Sequence, residues 1–303
     1  MGKAVYCSKL RESKECNKKI MKAEKIYQKL EKDFIKKGLS DDWAQYMNKI
    51  NDFLSKNFKK RSMGLMCDNS KEIKRVYTAV FPTNEVMRYI INKKEKEVML
   101  FVHHPSIWDI RKAPEVFQQI NKKLLKKFKE RRISIYNLHV PLDNYGRYST
   151  SSTLAKALEV KIAKPFSPYF GSLCGIIGKT RCKTIQELSK RFQKAVKHRI
   201  KLYRYGDNEI KNNKVAIVAG GGNSPDVLRD IKKERINAFV TGISALNAHS
   251  KKAHDYARKH KINILGGTHY STEKFACIAM CNYFRKLGLK SEFIEGRPIL
   301  EDM

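Results

Sequence analysis

Acidic residues are scarce in this chain. Asp and Glu number 30 against 63 Lys and Arg in 303 residues, a formal net charge of +33. Such an excess draws polyanions and implies salt-sensitive, non-specific binding of nucleic acid, with an acidic partner as the other occupant. No zinc finger, glycine-rich RNA signature or basic-zipper pattern accompanies it. Runs of about 18 or more apolar residues are absent too, which excludes a membrane-spanning helix. Met1 leads into no apolar stretch, so no secretory signal and no membrane partner are expected. The seven cysteines form no Cys-x-x-Cys. That excludes a thiolate zinc pattern and a disulfide framework, and it fits a reducing, cytoplasmic setting. Cys277 and Cys281, one helical turn apart in an apolar stretch, read as small buried hydrophobes.

A core is not lacking. The apolar fraction is 42%, near that of ordinary globular proteins, and the length suffices for one large or two ordinary domains. From Cys16, apolar residues recur at helical spacing (Ile20, Ile26, Tyr27, Leu30, Phe34), and Gly38 ends the pattern. Ser40 then caps a second helix with Trp43, Tyr46, Met47, Ile50, Phe53 and Leu54 on one side. Strands are expected at 76–80, 97–102 and 133–138. Helices are expected from near Asn84, around 114–129 and at 152–158. The lysine-rich run 122–132 keeps apolar residues at helical spacing and reads as an amphipathic surface helix. Two prolines make 164–168 the expected hinge. Beyond it, Thr184 and Glu187 form a capping box for a helix to about Lys197. Strands follow at 202–205, 215–219, 238–241 and 262–265. Alternating strands and helices give an α/β protein with parallel pairing and helices on the faces. The expected organisation is a basic helical N-terminal extension (1–39), a first α/β lobe (40–164) and a second (165–303).

The strand ends carry the chemistry. His103 and His104 close the apolar run 98–102 before Pro105. Alternate side chains on a strand point to opposite faces, so two imidazoles share a site only where the chain turns. His139 and Asp143 close the strand 133–138. His269 and Glu273 follow the strand 262–265, at the start of a helix capped by Ser271. Singly, each has a plainer reading: a hydrogen-bonded half-buried His139, an Asx-turn at Asp143, a helix-start acid at Glu273. Together, nitrogen and oxygen ligands at strand ends suit Zn, Mn, Fe, Co or Ni, and a bridging carboxylate could hold two such cations about 3.5–4 Å apart. In 219–225, Ser224 caps a helix begun by Pro225, and Gly220, Gly221 and Gly222 form either a plain turn or a phosphate cradle. The spacing is neither Rossmann nor P-loop.

In order, His103-His104-Pro105, the stretch 136–143 ending in His139-Val140-Pro141-Leu142-Asp143, the glycine loop 220–222, Thr241-Gly242, and 267–273 with His269 and Glu273 resemble the GTP cyclohydrolase I type 2-like family, the Nif-three-like dinuclear metal-centre proteins. The resemblance covers about residues 41–298. It implies two similar α/β lobes with the metal cleft between them and assembly as a homohexamer, and the N-terminal helices read from the apolar spacing are extra to it. It places His103, His104, Asp143, His269 and Glu273 on two divalent metal ions, with Glu273 bridging. It puts His139 beside the metals as a catalytic proton carrier, and the loop Gly220, Gly221 and Gly222 against substrate. Three positions depart from the family pattern. Phe81 stands where an aspartate is usual, Ile243 where an acid follows Thr-Gly, and Val140 where the threonine of His-Thr-Asn-Leu-Asp would be. The implied function is a metal-dependent hydrolase acting on a nucleotide or phosphoester. The alternative is a non-catalytic metal-binding ring that contacts nucleic acid or a protein partner through its basic surface.

Overall fold

Short apolar runs become strands here, and the amphipathic stretches between them become the helices that cover both faces. A computed structural model describes residues 20–303. In chain order the strands are β1 (Gly64–Cys67), β2 (Arg75–Ala79), β3 (Val98–Val102), β4 (Ile133–Asn137), β5 (Lys161–Tyr169), β6 (Ser172–Lys179), β7 (Lys201–Tyr203), β8 (Lys214–Val218), β9 (Ala238–Thr241), β10 (Asn263–Gly266) and β11 (Lys290–Phe293). The first sheet has the order β11-β2-β3-β4-β1, parallel except for β1. The second has the order β7-β10-β9-β8-β6-β5, with a parallel centre of β8, β9 and β10. The protein is thus α/β, built on two sheets.

Strand β3 shows why both faces are covered. Val98, Leu100 and Val102 pack into one cluster with α3 (Asn84–Asn92) and α4 (Lys122–Glu130). Met99 and Phe101 turn the other way, onto α1 (Ala23–Phe34) and α10 (His269–Lys286). A strand apolar on both sides is the signature of a covered parallel sheet. Helices α6 (Thr150–Ala157) and α7 (Ile185–Val196) cover one face of the second sheet, and α8 (Pro225–Lys233) and α9 (Lys251–Lys259) the other. Helix α10 lies between the sheets. Ala276, Met280 and Phe284 pack on the first, and Phe275 on the second. Its first turns are buried all round, and Ile278, Asn282 and Arg285 leave one exposed stripe along the rest. None of the described helices is long and apolar enough to cross a membrane.

Several elements differ from expectation. The first helix starts at Ala23, after a two-residue strand at Met21–Lys22, and stops at Phe34 rather than at Gly38. Its expected start at Cys16 lies outside the described residues. The second expected helix is two 3-10 segments, Trp43–Tyr46 and Asn48–Phe53, bent at Ile50. Ser40 is not the cap, since the first segment begins after Asp42, and the Ser40 backbone N–H donates to Phe170 O. Helix α4 starts only at Lys122, where the Asn121 side chain accepts from Lys123 N. The residues before it form a small hairpin, Ile107–Trp108 against Phe117–Gln118. The lysines of α4 do face water, over buried Leu124, Leu125 and Phe128. The expected hinge 164–168 is strand β5. Its prolines are tolerated because β5 is a sheet edge, where a missing N–H breaks no inner ladder. A boundary at 164/165 therefore falls inside a strand, and β11 carries the chain back to the first sheet. The Thr184 side chain caps α7 as expected, but Glu187 reaches the N–H of Lys183 rather than that of Thr184.

Leu30 is fully buried where α1 meets the first sheet. Leu30→Ala is expected to cost roughly 2–5 kcal/mol, read as a lower thermal midpoint. An unchanged midpoint would mean that α1 does not help to hold the sheet.

Candidate metal centre

Ligands collect beyond the carboxyl ends of parallel strands in open α/β sheets, and both sheets send theirs to one place. Past β3, the backbone N–H groups of His103 and His104 still bond to Ala79 and Val80, so the turn that pairs the two imidazoles is held by the ladder. His139 caps the short helix α5 (Val140–Asp143), which puts Asp143 one turn on. Thr268, not Ser271, caps α10, and Ser271 completes the box. His269 is thus the first helical residue, and Glu273 lies one turn on along the same face.

All six side chains are buried. The Glu273 carboxylate sits at their centre. Its Oε1 is 3.5 Å from His103 Nε2 and 3.2 Å from His269 Nε2, and its Oε2 is 3.0 Å from His104 Nε2. Asp143 Oδ1 is 3.5 Å from His103 Nε2. Three overlapping sets could hold a metal ion, each with ligand atoms within 4.8 Å: His103, His104 and His139; His104, His269 and Glu273; His103, Asp143 and Glu273. His103 Nδ1 bonds to Leu138 O at 2.9 Å. A carbonyl only accepts, so Nδ1 carries the hydrogen and the Nε2 lone pair of the neutral ring faces the carboxylates. His103 Nε2, His104 Nδ1 and His269 Nδ1 are buried without a hydrogen-bond partner. Buried polar atoms are seldom orphaned. The orphaned His103 Nε2, 3.5 Å from both Asp143 Oδ1 and Glu273 Oε1, fits a metal ligand.

Burial disfavours a charge on His103, but the Asp143 and Glu273 carboxylates outweigh it and push the ring up to about 9. For His104 burial wins, reinforced by the charges of His103 and His269, and its value lies well below the ordinary one. Burial also raises Asp143. Glu273 is held well below the ordinary carboxylate range, because the surrounding imidazoles outweigh its burial.

His139 is held from behind. Trp43 Nε1 and Asp41 Oδ2 both approach its Nδ1, at 2.9 and 3.0 Å. Its Nε2 lies 3.8 Å from Asp143 Oδ2. The glycine loop is divided in use. Gly220 has a φ of +69°, and a Cβ there would collide with Glu273 Oε1. Its N–H donates to Thr272 Oγ1 at 3.0 Å. Gly221 lines a cavity of about 330 Å³ in front of the ligands. Gly222 packs against Val218 and Thr241. Room for a carboxylate is therefore one purpose of this loop.

Sequence reasoning missed Asp41, Trp108, Phe117, Tyr169 and Asp302, and it assigned Trp43 only to a helix face. All reach the site by long-range packing that no local spacing announces. Asp302 is buried. It accepts from Trp108 Nε1 (2.8 Å) and from the His269 N–H (2.9 Å), tying the cavity wall to the start of α10. Phe81 stacks on His104 at 4.8 Å, and Ile243 lines the cavity. Both are positions where the resembled family usually has an acid.

The model of the Duf34/NIF3 (NGG1p interacting factor 3) family matches residues 40–298. The chain belongs to the Duf34/NIF3 family. Asp302 lies beyond the matched residues. Similar proteins include the GTP cyclohydrolase 1 type 2 homolog of Pyrococcus abyssi, 26% identical over 78% of this chain and 90% of that one. The Archaeoglobus fulgidus protein of the same name is 25% identical over 83% and 97%. Among solved structures, protein ybgI, described as of unknown function, has a TM-score of 0.72 at 18% identity, covering 92% of this chain and 100% of its own. Reduced HcgD from Methanocaldococcus jannaschii has a TM-score of 0.64 at 22% identity, covering 91% and 99%. These two structures establish the fold they share with this member of the family.

Two outcomes follow from the geometry. Gly220→Ala strains a left-handed backbone by about 1–2 kcal/mol and pushes on Glu273. Metal affinity is expected to fall at least about tenfold with the circular dichroism spectrum unchanged. Normal metal content in that variant would show that Glu273 is not confined as described. Below about pH 9, metal-free His103 carries a proton that must leave before Nε2 can ligate. Apparent affinity should therefore rise about tenfold per pH unit up to that point and then level off. Calorimetry in buffers of differing ionisation enthalpy should count one proton released from His103. Affinity independent of pH would contradict the assignment.

Proposed function

We propose that this chain is a dinuclear metal-dependent hydrolase acting on a nucleotide or phosphoester-type substrate. The observation that carries the reading is the Glu273 carboxylate, which is shared by two candidate ligand sets and touches three imidazoles. In the proposed arrangement His103, Asp143 and Glu273 hold one divalent cation, and His104, His269 and Glu273 the other. The donor set suits Zn, Mn, Fe, Co or Ni. Such a pair, when bound, supplies Lewis-acid activation of water and stabilises developing negative charge. The name of the relatives, GTP cyclohydrolase 1 type 2 homolog, supports a nucleotide as one substrate class.

His139 is the proton carrier in this reading. A tryptophan N–H can only donate, and an ionised carboxylate can only accept. When Nδ1 accepts from Trp43, the ring hydrogen sits on Nε2, facing Asp143. When Nδ1–H donates to Asp41, Nε2 presents its lone pair to the cavity. One ring thus has a supported place for its proton on either side. The Gly221 backbone contacts substrate, and Gly220 and Gly222 shape the loop. The protein is proposed to work as a homohexamer in the cytoplasm, where thiols such as Cys67, Cys174, Cys182, Cys277 and Cys281 stay free.

A second reading has its own support. The net charge of +33 and the exposed lysines of α4 favour a non-catalytic metal-binding ring that contacts nucleic acid or an acidic protein. Metal analysis followed by a hydrolysis screen with nucleotides and phosphodiesters separates the two. Glu273→Ala should lose metal and turnover together. Turnover that survives in Glu273→Ala would sink the hydrolase assignment. Metal-loaded protein that hydrolyses nothing yet binds DNA with a steep salt slope would favour the second reading.

A further inference from the structure

We propose that the cavity selects a planar heteroaromatic ring of nucleobase type, seated among aromatic side chains beside the metal ligands, and gives no side-chain support to a polyphosphate. This deepens the reading above and rests on it for the metal centre alone.

The rings form a continuous arc. From Tyr169 to His139 the centroids are 6.0 Å apart, from His139 to Trp43 5.5 Å, from Trp43 to Phe117 4.5 Å, from Phe117 to Trp108 5.2 Å and from Trp108 to His269 5.0 Å. All six line the cavity. These contacts are edge-to-face, so the arc is not closed by stacked pairs of its own rings. Phe117 and Tyr169 are 41% and 38% exposed, well above what rings of this size show in a core. Val218, Ala219 and Ile243 supply aliphatic surface opposite the charged ligands. Aromatic rings are the sequence-tolerant platform for nucleobases, because every base offers a π-face.

The charge lining the cavity argues in the same direction. Phosphate recognition by side chains uses Arg and Lys. This chain has 63 of them, yet among the described residues none lines this cavity. The ionisable groups that do line it are carboxylates, histidines, a tyrosine and a thiol. Without metal ions, a polyphosphate would meet Asp143 and Glu273 with no basic side chain to offset them. The ring must then supply most of the binding, and a base or nucleoside should bind as well as its triphosphate.

The chain carries its own reporter. It has two tryptophans, Trp43 and Trp108, and both line the cavity. Their fluorescence in full-length protein, zinc-loaded and metal-free, is followed while guanosine, cytidine, GTP or inorganic tripolyphosphate is added. Guanosine is expected to quench saturably in both states, with GTP no tighter and tripolyphosphate neither quenching nor competing in the metal-free one. Phe117→Ala and Tyr169→Ala, both at partly exposed positions, should each weaken guanosine roughly 5- to 150-fold at unchanged zinc content. Three results would overturn the proposal: no quenching by either nucleoside, competition by tripolyphosphate in the metal-free protein, or wild-type affinity in both variants. Stronger binding of guanosine than of cytidine assigns a two-ring base, and the reverse a one-ring base. Ring binding without turnover of any compound leaves this inference standing and removes the hydrolase. Hydrolysis of ring-free phosphoesters with no nucleoside binding does the opposite.

Discussion

The Glu273 carboxylate lies 3.0–3.5 Å from His104, His269 and His103, and those imidazoles come from opposite halves of the chain. His103 and His104 end a strand of the first sheet, while His269 starts the helix that leaves the second. A carboxylate this deep is costly unless its oxygens are matched by positive or donor groups. The imidazoles match them, so the contact that makes the site also constrains how the two sheets meet. Helix α10 is the mechanical expression of this constraint. Its first turn carries His269 and Glu273, and its later turns fill the core between the sheets with Ala276, Met280 and Phe284.

The loops after β8 and β9 are shaped around the same carboxylate. Gly220 accepts from the N–H groups of Gly242 and Ile243 (3.1 and 2.8 Å) and donates to Thr272, the residue before Glu273. A side chain on Gly220 would take the space of Oε1. Asp302 adds a tie from the far end of the chain. Its carboxylate receives the His269 and Trp108 N–H groups, and its carbonyl receives those of Ser244 and Ala245. Backbone donors at a helix start favour an anion, and here the protein supplies that anion itself.

The candidate metal ligands were legible because each follows an apolar run whose end is written locally, by Pro105, by the short turn to Asp143, or by Gly266-Gly267. Short apolar runs and strand–helix alternation are local properties, and they gave the α/β class. The aromatic wall was not legible. Trp43 sits in a stretch whose apolar spacing is helical, but the backbone there is two bent 3-10 segments that aim the indole at His139. Trp108 and Phe117 meet through a hairpin of two-residue strands, and Phe117 falls in the stretch 114–129 whose spacing looks helical. Strand β5 was taken for a hinge because proline is read against the sheet interior, while its edge position comes from pairing with β6 and with no other strand. Edge position, like a cavity wall, is a property of the assembled sheet.

Charge sets the last constraint. The outside of the protein is strongly basic, yet the cavity floor presents Asp143 and Glu273, with burial opposing charge on His103 and His104 beside them. A basic exterior raises the local concentration of anions, and a carboxylate-lined cavity by itself turns them away. Divalent cations bound here would resolve the opposition. Each would add two positive charges where imidazole lone pairs and carboxylates converge, and would displace the proton from His103 rather than add charge to an empty space. Occupancy by metal would then decide the sign of the potential inside the cleft. An anionic group would gain entry as a metal ligand, while an uncharged ring would meet the aromatic wall with or without the ions.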